Sequence, residues 1–188
     1  VYANSSAEVT IQQNGDGDFV LTYFGDDYAP VKTMYDIGGD EGFKADIVTF
    51  GSTYGWNVDN QTIVIDIDQG SEVITIIFTV LGMAEQNGSD WNINFSSIKT
   101  AYPIVEKNES MNPVYFFTST AKPTLLLPET LNVMLPEDAV QDQFNNETYI
   151  LSYQFTAPTL YTITFDTEPA NNGTITFDGT SYSDGENV

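Results

Sequence analysis

Apolar and polar residues alternate with a period of two along most of this chain. Residues 7–14 alternate, Gly-Asp-Gly at 15–17 supplies turn residues, and 18–25 alternates again, which predicts a hairpin. Further strands are predicted over 61–68, over 89–98 with Trp91, Ile93 and Phe95 facing inward, over 112–121 and over 148–157. Residues 71–82 are apolar on both faces and so predict a strand central in a sheet, while 47–50 is a short apolar run. The spacers are rich in Gly, Asp and Asn, as turns require. The only helical candidate is 135–146, with Pro136 at the first helical position, Glu137 and Asp138 at the positive end of the dipole, and Asn145 or Asn146 to close it. Many short strands and little helix predict an all-β protein built as a β-sandwich.

The pattern changes character after Pro158, within 155–161, where the sequence turns to Thr, Gly and Asp. The expected organisation is a sandwich over 1–157, with a softer boundary near 119–129, then a linker and an incomplete β-repeat hairpin over 158–188. The pentapeptide Thr-Ile-Thr-Phe-Asp occurs at 162–166 and again at 174–178, and reads as strand, turn, strand. A lone hairpin buries too little apolar surface to stand by itself. This segment is expected either to begin a further domain or to offer an edge to a neighbouring subunit. With the N-terminal strand around Val9 and Ile11, it raises strand exchange as a route to self-assembly.

Charge narrows the classes of partner. The chain of 188 residues carries 27 Asp and Glu against 5 Lys, a net charge of −22, with no Arg, His or Cys. Such a surface repels nucleic acid and anionic membranes. Without His, Cys and Arg the common nucleophile–base pairs cannot be built, so a non-enzymatic role is expected. The lack of Cys leaves no disulfide framework and leans toward a microbial source. The longest apolar run, 73–83, is shorter than a membrane-spanning helix. Val1-Tyr2-Ala3 has the small-residue look of an export cleavage site.

Two stretches carry family resemblances. The pieces 19–23, 54–67 and 72–97, with Ile76, Phe78 and Val80 in the long apolar strand, resemble the cohesin-like β-sandwiches of microbial surface proteins. The resemblance covers Phe19 to Ser97 and implies an immunoglobulin/cohesin-like sandwich that recognises a protein or glycan partner. Where the family has Tyr-Asp-Pro, this chain has Tyr-Phe-Gly-Asp-Asp-Tyr-Ala-Pro at 23–30. Tyr161, Phe165, Pro169, Gly173, Ile175, Phe177, Gly179, Tyr182 and Gly185 resemble the tandem β repeats of archaeal and bacterial surface-layer-like proteins. Together these imply an exported envelope protein, archaeal in character.

Candidate chemistry is sparse. Asn-X-Ser/Thr acceptors occur at Asn4, Asn60, Asn87, Asn94, Asn108, Asn146 and Asn172. All but Asn94, which falls inside a predicted strand, are candidate N-linked glycosylation sites. Asn14, Asp16 and Asp18 alternate as in the first half of a calcium loop, with Asp26 or Asp27 as helpers; Phe19 and Gly25 stand where an EF-hand needs Gly and Glu. Asp66, Asp68 and Glu72 form a second calcium candidate. Asp26 with Asp27, and Asp40 with Glu41, are the carboxylate pairs a glycosidase would need. Tyr54, Trp56 and Trp91 could make a sugar-stacking platform, although both tryptophans also suit the core. The combined expectation is a glycosylated extracellular structural protein of a microbial envelope: a surface-layer, filament or adhesin subunit that self-assembles or binds other envelope proteins. The alternative is a cohesin-like recognition module, with calcium as its candidate cofactor.

Overall fold

A computed structural model describes residues 4–108, 110, 114–120, 124 and 126–156, together with the backbone of 174–177 and 180–183. The described residues are mostly β, in a sandwich-like arrangement of a seven-stranded mixed sheet and a four-stranded sheet. The chain divides into two compact units, Val1–Thr156 and Ala157–Val188.

The first hairpin forms as its pattern predicts. Strand β1 (Ser5–Ile11) pairs antiparallel with β2 (Gly17–Tyr23), and both alternate strictly between buried and less buried positions. Gly15 sits in the turn at φ +89, with Trp91 and the Ala84 carbonyl packed so closely that a Cβ would meet them at 2.7 and 2.4 Å. Glycine satisfies both demands, a left-handed backbone and a missing side chain.

The next element is one that the hydrophobic pattern does not predict. A 3-10 turn (Gly25–Asp27) leads into a helix, α1 (Tyr28–Thr53), which takes in the apolar run 47–50. Gly39, at φ 64 and ψ −173, breaks it into two helical segments. Val31, Phe43, Ile47 and Gly51 are buried, the last three at a spacing of four residues, so one stripe faces the sheet. The hydroxyls of Thr33, Thr49 and Thr53 donate to the carbonyls four residues back, at 2.8, 2.9 and 3.0 Å. Lys32 pairs with Asp36 at 2.5 Å and Lys44 with Asp40 at 2.7 Å, each one helical turn apart.

After the helix come β3 (Val58–Asp68), β4 (Val73–Val80), β5 (Ala84–Asn87), β6 (Asp90–Asn94), β7 (Ile104–Asn108), β8 (Val114–Thr118), β9 (Thr130–Met134), β10 (Ala139–Asn145) and β11 (Ile150–Phe155). The large sheet runs β3-β4-β2-β1-β9-β8-β7 and the small one β10-β11-β6-β5. β1 and β9 pair in parallel, and every other pairing among the described residues is antiparallel. β9, which follows 119–129 in the sequence, is therefore seated between β1 and β8 in the large sheet. β4 lies between two strands, but only one of its faces is covered. Ile74, Ile76, Phe78 and Val80 are buried, whereas Ile77 is 43% exposed.

The helix expected over 135–146 is a strand. Pro136 opens a turn closed by the Ala139 amide on its carbonyl, and β10 pairs with β11. A register shift between Val140 and Gln143, with Gln141 at φ 52, inserts a residue and disguises the alternation. Phe144 then turns inward against Phe117 and Tyr149.

One apolar cluster joins both sheets and the helix. Phe117 lies at its centre, in ring contact with Phe95, Tyr102, Phe144 and Tyr149. Three buried tyrosine hydroxyls find backbone partners: Tyr23 donates to the Leu126 carbonyl at 2.6 Å, Tyr102 to Pro128 at 2.5 Å, and Tyr149 to Tyr102. Asp142 on β10 accepts from Tyr115 on β8 at 2.5 Å and pairs with Lys107 on β7 at 2.9 Å, so a polar contact also ties the sheets together.

In the second unit β12 (Thr174–Phe177) pairs antiparallel with β13 (Thr180–Ser183). The first copy of the repeated pentapeptide, 162–166, lies outside the described residues. The described partner of the second copy is the segment just C-terminal to it.

Candidate functional site

Most of the acidic candidates are spent on local structure. Asp16 accepts from the Asn14 side chain at 2.8 Å and from the Gly82 amide at 2.7 Å, and its own amide donates to Asn14 Oδ1 at 3.1 Å. Asp18 accepts from Gln12 and from the Thr79 hydroxyl, both at 2.8 Å. Asp26 lies beyond the far end of β2; the five steps from Asp18 to Tyr23 alone span roughly 17 Å of strand. The four are therefore not brought together. Asp68 caps the β3–β4 turn, accepting from the Gly70 and Ser71 amides and the Ser71 hydroxyl, bonds that lower its carboxyl below the usual range, the Ser71 hydroxyl most. Among the described residues no group of three or more His, Cys, Asp or Glu could hold a metal ion.

The carboxylate pairs do not converge either. Asp40 and Glu41 both face Lys44, at 2.7 and 3.9 Å. Asp27 is buried and Asp26 exposed.

The acceptor asparagines sit at strand ends and turns. Asn60 lies in the irregular part of β3, Asn87 ends β5, Asn94 ends β6 and Asn146 opens the turn after β10, all exposed. Asn4 and Asn108 are half-buried, and Asn172 lies outside the described residues. Asn94 is as accessible as the others, since β6 stops there. Asn108 Oδ1 accepts from both the amide and the hydroxyl of Ser110, at 3.0 and 2.7 Å, and Asn94 Oδ1 accepts from the Ser96 amide at 2.9 Å.

A cleft of about 910 Å³ lies in the first unit. Four pieces of chain supply most of its lining, and Ile150 of β11 completes it. The corner between α1 and β3 supplies Tyr54, Trp56 and Asn57; the β4–β5 connection supplies Leu81, Gly82 and Met83; β5 supplies Glu85, Gln86 and Asn87; and β6 with the 3-10 turn Ser96–Ile98 supplies Asn92, Asn94, Ser96 and Ser97. The corner is packed by aromatic rings. Trp56, 7% exposed, backs onto Phe19 at 5.2 Å, and Tyr54 lies 5.6 Å from Trp56, with Phe50 edge-on to both. The Ser97 hydroxyl donates to the Tyr54 carbonyl at 2.8 Å. The opposite wall is held on both sides: the Leu81 amide on the Asn57 carbonyl at 2.8 Å, and the Gly82 and Ala84 amides on Asp16 and the Gly15 carbonyl, each at 2.7 Å.

Of the expected sugar platform, Tyr54 and Trp56 share this cleft and Trp91 does not. Along β6, Asn92 and Asn94 face the cleft. Trp91 faces the other way, against Tyr153 and Phe155. The cleft's amides leave no mark in the sequence because they are spread from residue 57 to residue 94 and only the fold gathers them.

Comparison of the chain with protein-family models, with curated proteins and with solved structures returned no match in any of the three.

Proposed function

We propose that this protein is a non-enzymatic, N-glycosylated structural protein of a microbial cell envelope, with an immunoglobulin/cohesin-like sandwich as its body. The observation that carries this reading is the placement of the acceptor asparagines. Asn60, Asn87, Asn94 and Asn146 are exposed at bulges, strand ends and turns, where an oligosaccharide costs no packing. A side-chain repertoire without His, Cys or Arg supports a role in building rather than in chemistry. Mass spectrometry of the native protein, with fractionation of the source cells, is the test. Glycopeptides covering Asn60, Asn87 and Asn146 from an envelope fraction are expected. Unmodified asparagines in a cytosolic fraction would overturn the proposal.

A second reading, recognition of a partner, is favoured by the cleft. Its walls are cross-braced by backbone hydrogen bonds, as a preformed binding site requires. The two readings are compatible, because an adhesin subunit both builds and binds.

A further inference from the structure

We infer that the cleft binds a neutral oligosaccharide; the inference rests on the recognition reading above and names its ligand class. The lining sorts ligands by chemistry. Four asparagines line it, Asn57, Asn87, Asn92 and Asn94, with Ser96 and Ser97, while the Gln86 side chain shares the opposite face of the small sheet with its pair partner Trp91. Each amide offers two donors and an acceptor, which matches the paired hydroxyls of a sugar ring. Among the described residues no cationic side chain lines the cleft and Glu85 is the one carboxylate, so an anion finds no counter-charge and a divalent cation finds a single acidic ligand.

One end of the cleft is aromatic. Tyr54 is half-buried and presents its ring beside the anchored Trp56, a surface suited to the apolar face of a pyranose. The volume falls within the range of small-molecule sites, enough for a few sugar residues. The sites of ligand contact are also pre-positioned. Asn92 Oδ1 accepts from Ser152 at 2.7 Å, which orients that amide before any ligand arrives. The acidic turn read as a calcium loop acquires a role here: Asp16 is a positioning residue that fixes Gly82 in the cleft wall.

Two sources can supply the same chemistry. Asn87 and Asn94 carry the Asn-X-Ser/Thr sequence on the cleft's own rim, so a glycan of this chain could occupy the cleft, or a glycan of another molecule could. The experiment separates them. Full-length protein made without glycosylation is titrated with chitotriose, mannotriose and cellotriose and followed by amide-resolved NMR. The expected result is saturable shifts at Tyr54, Asn57, Asn92 and Ser97 with at least one trisaccharide. Tyr54→Ala should weaken that binding about three- to tenfold, and Tyr54→Phe should restore it. Asp16→Ala should weaken binding without Asp16 contacting sugar, and an unchanged melting temperature in each variant excludes unfolding as the cause.

The same titration of native glycosylated protein assigns the source: binding that survives there means a foreign glycan, and binding that appears only after glycan removal means the protein's own. Absence of cleft shifts with all three sugars overturns the inference. Shifts in the cleft with a neutral peptide but with no sugar also overturn it, while leaving the recognition reading standing.

Discussion

Gly51 is where the helix meets the sheet most closely, and replacing it with alanine tests that contact. A Cβ at residue 51 would lie 2.3 Å from Val58 Cγ2 and 3.2 Å from the Trp56 carbonyl oxygen. The first distance is far inside van der Waals contact, and neither partner is a flexible chain end, since Val58 is buried and the carbonyl is backbone. Two effects oppose each other. Alanine favours a helix over glycine by about 1 kcal/mol, less in a last turn. Overpacking a well-filled contact costs about 1–3 kcal/mol. The overlap is severe, so the cost wins, and Gly51→Ala should lower stability by about 1–2 kcal/mol, a melting shift of roughly 2–8 °C for a unit of this size. Urea denaturation measures it. The companion Val58→Ala removes the colliding methyl groups, so the double variant should be more stable than the two separate losses predict. A Gly51→Ala variant as stable as the parent, or more so, would refute the reasoning, because the helix would then not sit on β3 as described.

Tyr102→Phe removes the donor to the buried Pro128 carbonyl and should cost about 1–2 kcal/mol by denaturant titration, with the fold retained. Burial raises the phenol of Tyr23 well above 10 and that of Tyr102 likewise, and pushes Tyr153 up to about 12. The folded state thus holds protons that the unfolded chain releases near pH 10. Stability from these groups is whole below pH 10 and drains as pH rises above it, by about 1.4 kcal/mol per pH unit for each phenol involved; the part of the tyrosinate absorbance that belongs to these three phenols should rise together with unfolding rather than before it. Calcium at millimolar concentration should give no chelator-reversible gain in melting temperature, because Asp16 and Asp18 are engaged by Gly82, Gln12 and Thr79 and Asp26 lies elsewhere. Deleting 157–188 should leave the first unit folded by circular dichroism and calorimetry, and negative-stain microscopy should show the loss of any assembly formed by the full chain.

The strands were legible wherever alternation was unbroken and the turn lay close by. β1 with β2, and β4, each pair with neighbours in sequence or nearly so, and their burial follows the period of two. The helix was hidden by its own composition. Gly38, Gly39 and Gly42 weaken helix propensity, and Ile37, Ile47, Val48 and Thr49 read as strand residues. The break at Gly39 divides the apolar stripe into two short ones, so no continuous period of 3.6 appears. Two signals were present nonetheless: the spacing Phe43, Ile47, Gly51, and the opposite charges one turn apart at Lys32 with Asp36 and Asp40 with Lys44. β10 shows the reverse error. A bulged strand with Pro-Glu-Asp in front of it imitates a helix start, because the extra residue at Gln141 destroys alternation. The parallel pairing of β1 with β9 joins residues more than a hundred apart, which no local pattern announces. The cleft shares that origin: Tyr54 and Trp56 stood out in the sequence, and its amide lining did not.

The topology also decides where strand exchange can act. The sequence offered the N-terminal strand as a donor, but β1 is flanked on both sides, by β2 over seven register pairs and by β9 over five. Withdrawing it would open two ladders at once and expose Val9 and Ile11, both fully buried. Among the described residues, the edge strands of the first unit are poor acceptors. β3 is interrupted between Asp59 and Val64 and carries Asp66 and Asp68, β10 is irregular at Gln141, β5 has four residues including Glu85, and β7 carries Glu106 and Lys107. Bulges, shortness and charge are the devices by which sheets avoid joining edge to edge. In the second unit the described strands form a two-stranded sheet, an arrangement that gains most from an added strand. Among the described strands, β12 and β13 are therefore the ones at which to test for assembly through main-chain hydrogen bonds. The first unit holds the cleft and six of the seven Asn-X-Ser/Thr sequences.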